Sequence, residues 1–402
     1  MSFLLGLVFS LLILAVVACL VWWWLLRTFT LPIRAHEVHL VTTKDLWKVQ
    51  LCRFRPKYGK GEPVLLCHGL MANHFNFETP EGLCLVDTLM DHGYDCWLLD
   101  LRGNRSSIPP FGRRRSEPTL DDSLNRDIPA AIEFICKATG YPKIHWIGHS
   151  MGGMLLYAYD QVFGPERIAS GTTLGSPTGF TGVRLRDPKA VLVLLRISQP
   201  IFGVVLRSLS LLLNVAKPKV AFAPINWNNM HPEVAGQVFF NMLEAPPYRA
   251  AADLTSWASH GVWRMQNHTL DIAAGLKNLR VPLFAIFGVS DPLAPLKYGK
   301  EFFDNIPHSD KELLILGQLY GHSADYNHVD LAFGKYARKE VFEPIVAWLR
   351  KHPVEPLPRG QEAPAESPAP AKKSNSKKRK TPAKRTASKM KAPSAADSKT
   401  IK

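Results

Sequence analysis

The sequence has few cysteines, and their positions do not favour disulfides or a zinc site. Only six of its 402 residues are Cys, and Cys67 and Cys96 fall within apolar runs that are typical of buried strands. We therefore expect reduced thiols packed in a core, not a disulfide framework. No Cys/His cluster has the spacing of zinc ligands, so the sequence predicts chemistry that uses neither a metal nor an organic cofactor.

A long stretch near the beginning of the sequence lacks charge. Residues 3–26 form an apolar run without a charged side chain. A helix of this length extends about 36 Å, and the hydrocarbon core of a bilayer is about 30 Å thick. Trp22–Trp24 lie where the run meets Arg27, which suits an interfacial aromatic belt. We predict that residues 1–30 are a transmembrane anchor that contacts the bilayer through residues 3–26.

A cleaved signal peptide is the alternative interpretation of this run. The run has no basic segment before it and is longer than the apolar part of a signal peptide. Val16–Cys19 resembles a lipoprotein cleavage site, but cleavage there would leave Trp22–Trp24 close to the new N-terminus. Arg27, Arg34 and Lys44 follow the run and no Lys or Arg precedes it. The positive-inside rule therefore predicts a single-pass protein whose catalytic domain is cytoplasmic.

The last part of the sequence lacks aromatic residues. Residues 361–402 carry a net charge of +9 out of the formal +15, and Pro, Ala, Ser and Lys dominate from Pro353 onward. Residues 353–402 are therefore predicted to be a disordered tail. We expect the tail to act as a solubilising segment, or to bind anionic lipid headgroups or nucleic acid without sequence specificity.

Between these ends, buried strands alternate with amphipathic helices. Glu37–Thr42 and Trp47–Phe54 are predicted to be antiparallel strands, and a strand–helix alternation begins at Val64–Cys67. This alternation predicts an α/β fold with a mainly parallel, doubly wound sheet. Its core is expected to consist of two segments, residues 37–178 and residues 278–352.

Residues 179–277 interrupt the alternation. Val191–Val215 is strongly apolar, but Pro200 and Gly203 are expected to break it, so it is too interrupted to span a membrane. We predict that residues 179–277 form a helical cap over the active site. The apolar surface of this cap would admit a hydrophobic substrate, touch the bilayer or pack against the core.

The candidate nucleophile lies in the motif Gly148–Gly152, which reads Gly-His-Ser-Met-Gly. An apolar, β-branched run precedes the motif and a helix-prone run follows it, which is the context of a nucleophile elbow. The two glycines relieve crowding in the turn and leave the hydroxyl of Ser150 exposed. The backbone N–H groups of Met151 and Leu70 are the predicted oxyanion donors. His68 is expected to shape the loop around Leu70, and a direct catalytic part is the alternative.

A serine nucleophile needs a histidine to take its proton and a carboxylate to hold the resulting imidazolium. Asp291 directly follows a predicted strand, at the edge where the ligand-facing loops of parallel sheets meet. His322 and His328 both follow the last predicted strand, Leu313–Leu316. Their spacing leaves the choice of base open and slightly favours His322, which is nearer to the strand.

Several segments of the chain resemble the acid lipase family of neutral-lipid esterases. They are His68–Leu70, Arg102–Asn104, Asp127–Ile135, Gly148–Ser150 and Tyr326–Asp330. The resemblance implies an α/β-hydrolase fold with a helical cap and activity on lipid carboxylic esters. In that family the histidine that precedes a hydrophobic residue and Asp is catalytic. The resemblance therefore implies that His328 acts as the base, together with Ser150 and Asp291.

The sequence also departs from that family. Met151–Gly153 is similar to the corresponding segment of general esterases, so an acid pH optimum and sterol-ester specificity are not implied. The leading hypothesis is a membrane-anchored serine esterase or lipase that cleaves hydrophobic esters through an acyl-enzyme. A thioesterase or an acyltransferase would use the same triad. A non-catalytic membrane tether, with the basic tail as its working end, is the alternative of a different class.

Overall fold

The computed structural model describes residues 2–179, 188–212, 225–231 and 236–358. Within these residues, eight strands form one sheet in the order β1-β2-β4-β3-β5-β6-β9-β10. The strands of this sheet are β1 Glu37–Thr42, β2 Lys48–Phe54, β3 Pro63–Cys67, β4 Asp95–Asp100, β5 Ile144–His149, β6 Ile168–Leu174, β9 Leu283–Gly288 and β10 Lys311–Leu316. The β1–β2 and β2–β4 pairs are antiparallel and the other pairs are parallel. The predicted α/β fold with a mainly parallel sheet is confirmed.

Helices connect the strands and cover the sheet. They are α1 Ser2–Phe29, α2 Phe75–Glu78, α3 Leu85–Asp91, α4 Leu120–Asp122, α5 Ile128–Thr139, α6 Met151–Val162, α7 Pro188–Ser210, α8 Gln237–Met242, α9 Tyr248–His260, α10 Ile272–Gly275, α11 Leu296–Asp304, α12 Asp330–Phe333 and α13 Glu343–Arg350. A short hairpin of β7 Arg264–Met265 and β8 Leu270–Asp271 lies between α9 and α10.

Strand β3 shows how the apolar runs are used. Successive side chains of a strand point to opposite faces of the sheet. Leu65 and Cys67 join the apolar cluster on one side, whereas Val64 and Leu66 join the cluster on the other side. All of β3 is buried, so a strand with apolar residues at every position fits only because helices cover both faces.

The sequence before the elbow predicts an amphipathic helix over residues 121–139, and the structure is helical without a break from Leu120 to Thr139. The α4 turn leads into a π-helical turn at Ser123–Asp127, and α5 follows. Pro129 lies at the start of α5, directly after the π-helical turn, and a proline is tolerated where the regular hydrogen bonding of a helix is interrupted. Gly140, at φ 79°, ends the helix in the left-handed conformation that favours glycine.

The segment between β6 and β9 is mainly helical in the residues that the structure describes. The prediction that Pro200 and Gly203 break the apolar stretch is wrong, because α7 continues through both. A proline removes one intrahelical hydrogen bond, and most turns of this 23-residue helix keep theirs. The cap boundaries 179–277 stay a prediction, since residues 180–187, 213–224 and 232–235 lie outside the described residues. Most of the predicted tail, residues 359–402, lies outside them as well.

Helix α1 is long and apolar enough to cross a membrane. An 18-residue window within Phe3–Phe29 has a mean hydropathy of 3.1, and none of this window is buried within the protein. Near its end, the rings of Trp22 and Phe29 lie 5.9 and 6.0 Å from the ring of Phe240 in α8. The C-terminal end of α1 is therefore fixed to the segment between β6 and β9.

Candidate active site

Ser150 lies at a sharp turn between β5 and α6. Its backbone has φ 53° and ψ −118°, a conformation that costs a non-glycine residue about 1–3 kcal/mol. A Cβ on Gly148 would overlap the backbone of Gly152, and a Cβ on Gly152 would overlap the carbonyl of Cys67. Glycine is therefore required on both sides of Ser150, and the turn has the geometry of a nucleophile elbow.

Asp291 and His328 are brought together from different loops. Nδ1 of His328 lies 2.8 Å from Oδ2 of Asp291, and both side chains are buried. The other carboxylate oxygen of Asp291 accepts hydrogen bonds from the N–H groups of Leu293 and Ala294, at 2.8 and 3.0 Å. These three bonds fix the carboxylate, so Nδ1 of His328 donates to it and Nε2 is the nitrogen that can accept a proton.

This pair lies beside the elbow. The backbone N–H of Ser150 donates to the carbonyl of Leu174 at 2.9 Å. At the next residue, Gly175, a Cβ would lie 2.9 Å from Oδ2 of Asp291 and 3.1 Å from Nδ1 of His328. The chain around residue 175 therefore touches both Ser150 and the pair, which places the base next to the predicted nucleophile.

His149 holds His328 from the other side. The two rings lie 4.8 Å apart, and Nε2 of His149 lies 3.2 Å from the backbone oxygen of His328. Nδ1 of His149 lies 3.0 Å from the side-chain amide of Asn76. Burial, with a smaller contribution from His328, lowers the pKa of His149 to about 3, so this imidazole is neutral and serves as a hydrogen-bonding support. Neither His149 nor Asn76 was found as a site residue from the sequence.

His322 lies elsewhere on the same loop. Its Nδ1 is 3.3 Å from the carbonyl oxygen and 3.4 Å from the nitrogen of Gly317, at the end of β10. The structure thus joins His328, and not His322, to Asp291. The catalytic roles of Ser150, Asp291 and His328 remain predictions.

The loop that carries Leu70 is shaped by His68. Nδ1 of His68 donates to the carbonyl of Gly69 at 2.8 Å, and its Nε2 accepts from the amide of Asn104 at 3.2 Å. Burial lowers the pKa of His68 and keeps the ring neutral. A Cβ on Gly69 would lie 3.1 Å from Cβ of Ser150, so the loop passes directly over the elbow. These contacts favour the expectation that His68 shapes this loop.

Leu70 and Met151, whose N–H groups are the predicted oxyanion donors, line one narrow cavity. The cavity has a volume of about 20 Å³, which is room for one water molecule and not for an acyl chain. Pro246 and Pro247 line it from the segment between β6 and β9. Met151 is the first residue of α6, and the first N–H groups of a helix have no partner within the helix.

Two residues within the family-like segments form a buried ion pair behind the site. The backbone N–H and Nε of Arg102 donate to the two carboxylate oxygens of Asp127 at 3.0 and 2.7 Å. Both side chains are almost completely buried. The guanidinium also contacts Asp45 at 2.9 Å. The pair therefore ties the loop after β4 to the start of α5, which is a structural role.

The described part of the chain contains no group of three or more His, Cys, Asp or Glu side chains arranged to hold a metal ion. Chemistry without a metal or cofactor stays a prediction. The arrangement of Ser150, His328 and Asp291 is the kind that performs acyl transfer through a covalent intermediate.

Comparisons with known proteins concern the fold and the sequence of the chain. Residues 62–197 match a family model described as the alpha/beta hydrolase fold. Lipase 1 of Drosophila melanogaster is 38% identical over 129 residues, which are 29% of this chain and 27% of that protein. Gastric triacylglycerol lipase of Bos taurus is 32% identical over 131 residues, 29% of this chain and 32% of that one. The matched segment thus spans about a third or less of these two relatives.

Longer matches come from a yeast protein and from solved structures. A probable lipase of Schizosaccharomyces pombe is 25% identical over 357 residues, 79% of this chain and 77% of that protein. A thermophilic esterase from Thermogutta terrifontis superposes with a TM-score of 0.54 at 19% identity, covering 79% of this chain and all of the esterase. The chain therefore has the α/β-hydrolase fold, and its sequence resembles lipases.

Proposed function

We propose that the protein is a membrane-anchored serine hydrolase that cleaves carboxylic esters of hydrophobic, lipid-like molecules. The observation that carries this proposal is the buried 2.8 Å hydrogen bond between His328 and Asp291 beside the elbow of Ser150. The relatives that are named lipases support an ester substrate, and the bovine relative's name gives a triacylglycerol as the substrate of that protein.

The proposed reaction proceeds through an acyl-enzyme. Oγ of Ser150 attacks the ester carbonyl carbon while Nε2 of His328 takes its proton, and Asp291 stabilises the imidazolium. The N–H groups of Leu70 and Met151 bind the oxyanion. When the intermediate collapses, the ester C–O bond breaks and His328 returns the proton to the leaving alcohol. Water then repeats the sequence on the acyl-enzyme, releasing the acid and restoring Ser150.

Labelling with a fluorophosphonate probe and hydrolysis of a chain-length series of esters test this proposal. We expect the full-length protein to react with the probe, and Ser150→Ala to lose the labelling and several orders of magnitude in turnover. Ser323→Ala, on an exposed loop, is the matched control and should keep both. Labelling that survives in Ser150→Ala would remove Ser150 from the role of nucleophile.

A parallel series of thioesters separates the two chemistries that share this triad. Faster turnover of thioesters than of esters with the same acyl chain would identify a thioesterase. Transfer of the acyl group to an added alcohol would identify an acyltransferase. A folded protein without labelling or turnover would favour the non-catalytic membrane tether.

The anchor is the second part of the proposal. Helix α1 spans the bilayer, and its end carries Arg27, whose guanidinium lies 5.5 Å from the ring of Trp23. Arg34 and Lys44 follow closely, so the positive-inside rule favours a cytoplasmic catalytic domain. A reporter fused to the C-terminus tests the orientation, because a reporter that is active outside the cytoplasm contradicts it. The basic tail, which lies outside the described residues, would then contact the anionic headgroups of the same leaflet.

A further inference from the structure

The loop between β4 and α4 exposes an aromatic ring next to three cations. The side chain of Phe111 is fully exposed, at 107% of the reference area. Arg113, Arg114 and Arg115 follow and are exposed as well. A single exposed aromatic residue is ordinary on a protein surface. Phe111, however, is followed closely by three exposed arginines. An exposed ring close to several cations is a combination that suits an anionic surface.

The far end of this loop is fixed next to the candidate active site. The carbonyl of Ser116 accepts from the N–H of Tyr248 at 3.0 Å, and that of Pro118 accepts from the N–H of Ala250 at 3.2 Å. Pro118 also lines the cavity that Leu70 and Met151 share. The cluster of Phe111 and the three arginines therefore lies on a loop whose base forms part of the cavity wall.

The beginning of the loop is tied to the end of α1. The side chain of Asn241 donates to the carbonyl of Phe29 at 2.8 Å and accepts from the N–H of Leu31 at 3.0 Å. The backbone oxygen of Asn241 accepts from Nη2 of Arg105 at 2.6 Å. The loop therefore begins near Arg105, which is bonded to the backbone of Asn241, and the side chain of Asn241 holds the end of α1.

Helix α7 extends from Tyr248, which is bonded to the base of this loop, to Trp22 in α1. Its Arg196 lies 5.6 Å from the ring of Tyr248, and its Arg207 lies 5.3 Å from the ring of Trp22 in α1. Between them, Ile201 and Val205 are 67% and 47% exposed, and Leu209 beyond them is 54% exposed. The helix contains no Asp or Glu. An apolar, acid-free stripe therefore runs from the neighbourhood of the loop to α1.

We propose that Phe111 and Arg113–Arg115 form a second membrane contact, which binds the anionic headgroups of the leaflet that α1 enters. The inference rests on the proposed anchoring by α1. The ring of Phe111 enters the interfacial region, and the guanidinium groups bind lipid phosphates, whose oxygens they match in geometry. The exposed stripe of α7 faces the same leaflet, so the cavity wall is held at the membrane surface.

A spin label can measure the depth of Phe111 in the full-length protein reconstituted into nanodiscs that contain phosphatidylcholine and phosphatidylglycerol. Phe111→Cys and the control Leu319→Cys, at a residue 97% exposed, are each prepared with Cys19→Ser. Cys19 is the one exposed cysteine among the described residues, and labelled alone it reports the position of α1. We expect the labels at 111 and 19 to be shielded from a water-soluble nickel chelate, and the label at 319 to be reached by it.

Charge reversal tests the role of the arginines. Arg113→Glu, Arg114→Glu and Arg115→Glu together should make the label at 111 as accessible as the label at 319. The matched control reverses Lys60, Lys137 and Lys143, which are exposed and lie near the opposite, amino-terminal edge of the parallel strands. This control changes the net charge equally and should leave the label at 111 shielded.

The possible results distinguish the failure of this inference from the failure of the anchor. If the chelate reaches the label at 111 as readily as that at 319 while Cys19 is shielded, the second contact is wrong and the anchor stands. If the chelate also reaches Cys19, the anchor is wrong and the inference falls with it. Shielding at 111 that survives the reversal of the three arginines, or that is equal in nanodiscs of phosphatidylcholine alone, overturns the binding of anionic headgroups.

Discussion

Replacing Gly175 with alanine tests the position of the His328–Asp291 pair without removing any of its groups. Gly175 has φ 54°, and a Cβ there would lie 2.9 Å from Oδ2 of Asp291 and 3.1 Å from Nδ1 of His328. Ordinary contacts of a Cβ begin at 3.4 Å. The carboxylate must therefore withdraw by the difference, about 0.5 Å, and it draws the imidazole with it.

The expected loss of activity follows from this displacement. A misplacement of about 1 Å at a reacting group costs about a hundredfold in rate, so half that shift in the base should lower kcat roughly tenfold. KM should change less, because His328 takes part in the proton transfer and not in holding the bound ester. Separately, alanine in a left-handed backbone conformation costs about 1–2 kcal/mol of stability.

Gly140→Ala is the control that carries the backbone penalty alone. Gly140 has φ 79°, and a Cβ there would meet no atom within 4 Å. The assay is kcat and KM for a water-soluble short-chain ester, with the full-length protein in detergent micelles, alongside the melting temperature. Both variants should melt earlier than the wild type, and only Gly175→Ala should lose kcat. Equal kcat in the two variants would refute the reasoning that this pair works at its observed position.

Three further predictions concern other residues. His328→Ala should lose as much turnover as the loss of the nucleophile, whereas His322→Ala should cost at most a modest factor; the reverse result, in folded proteins, would contradict the assignment of the base. Arg102→Ala breaks a buried ion pair and should lower the free energy of unfolding by about 3–5 kcal/mol. Arg126→Ala, at a side chain 42% exposed, should change that free energy little. Chemical denaturation measures both variants, and equal losses would refute the role of burial. Burial raises the pKa of Glu78 from 4.5 to about 7, so the native state holds a proton that the unfolded chain releases, and stability falls as pH rises through this interval. Glu78→Gln should remove that decline, so the melting temperature of the variant minus that of the wild type should increase as the pH rises from 4.5 to about 7. A difference in melting temperature that stays constant over this pH range would contradict the raised pKa.

The middle of the sheet could be predicted from the sequence because strands such as β3, β4 and β5 are buried on both faces. The expected Val64–Cys67 appears as Pro63–Cys67, and the expected edge strand Glu37–Thr42 has those bounds in the structure. Continuous apolar runs of this length, separated by amphipathic helices, leave few alternatives to a doubly wound parallel sheet. The elbow was predictable because Ser150 and its two glycines lie in one short motif between an apolar run and a helix-prone run.

The choice between the two histidines depends on contacts that are distant in sequence. The N–H of Ser290 donates to the carbonyl of Tyr326 at 3.0 Å, and a Cβ on Gly288 would overlap the same carbonyl. The loop after β10 is thereby held against the end of β9, and His328 arrives beside Asp291 two residues later. Spacing along the chain cannot reveal this contact. Gly175 also lies against Asp291 and His328. In the sequence it is indistinguishable from an ordinary turn glycine.

The short segment from α8 to Pro247 contacts both the end of α1 and the cavity. Glu244 accepts hydrogen bonds from the backbone N–H and Nε of Arg105, at 3.1 and 2.9 Å, and its own N–H donates to the carbonyl of Met71 in the oxyanion loop at 2.9 Å. Asn241 of the same segment holds the exit of α1. Pro247 of this segment lines the cavity of about 20 Å³ together with Leu70 and Met71. Asn241 and Glu244 lie three positions apart, so one short segment holds both the end of α1 and the loop that carries Leu70 and Met71.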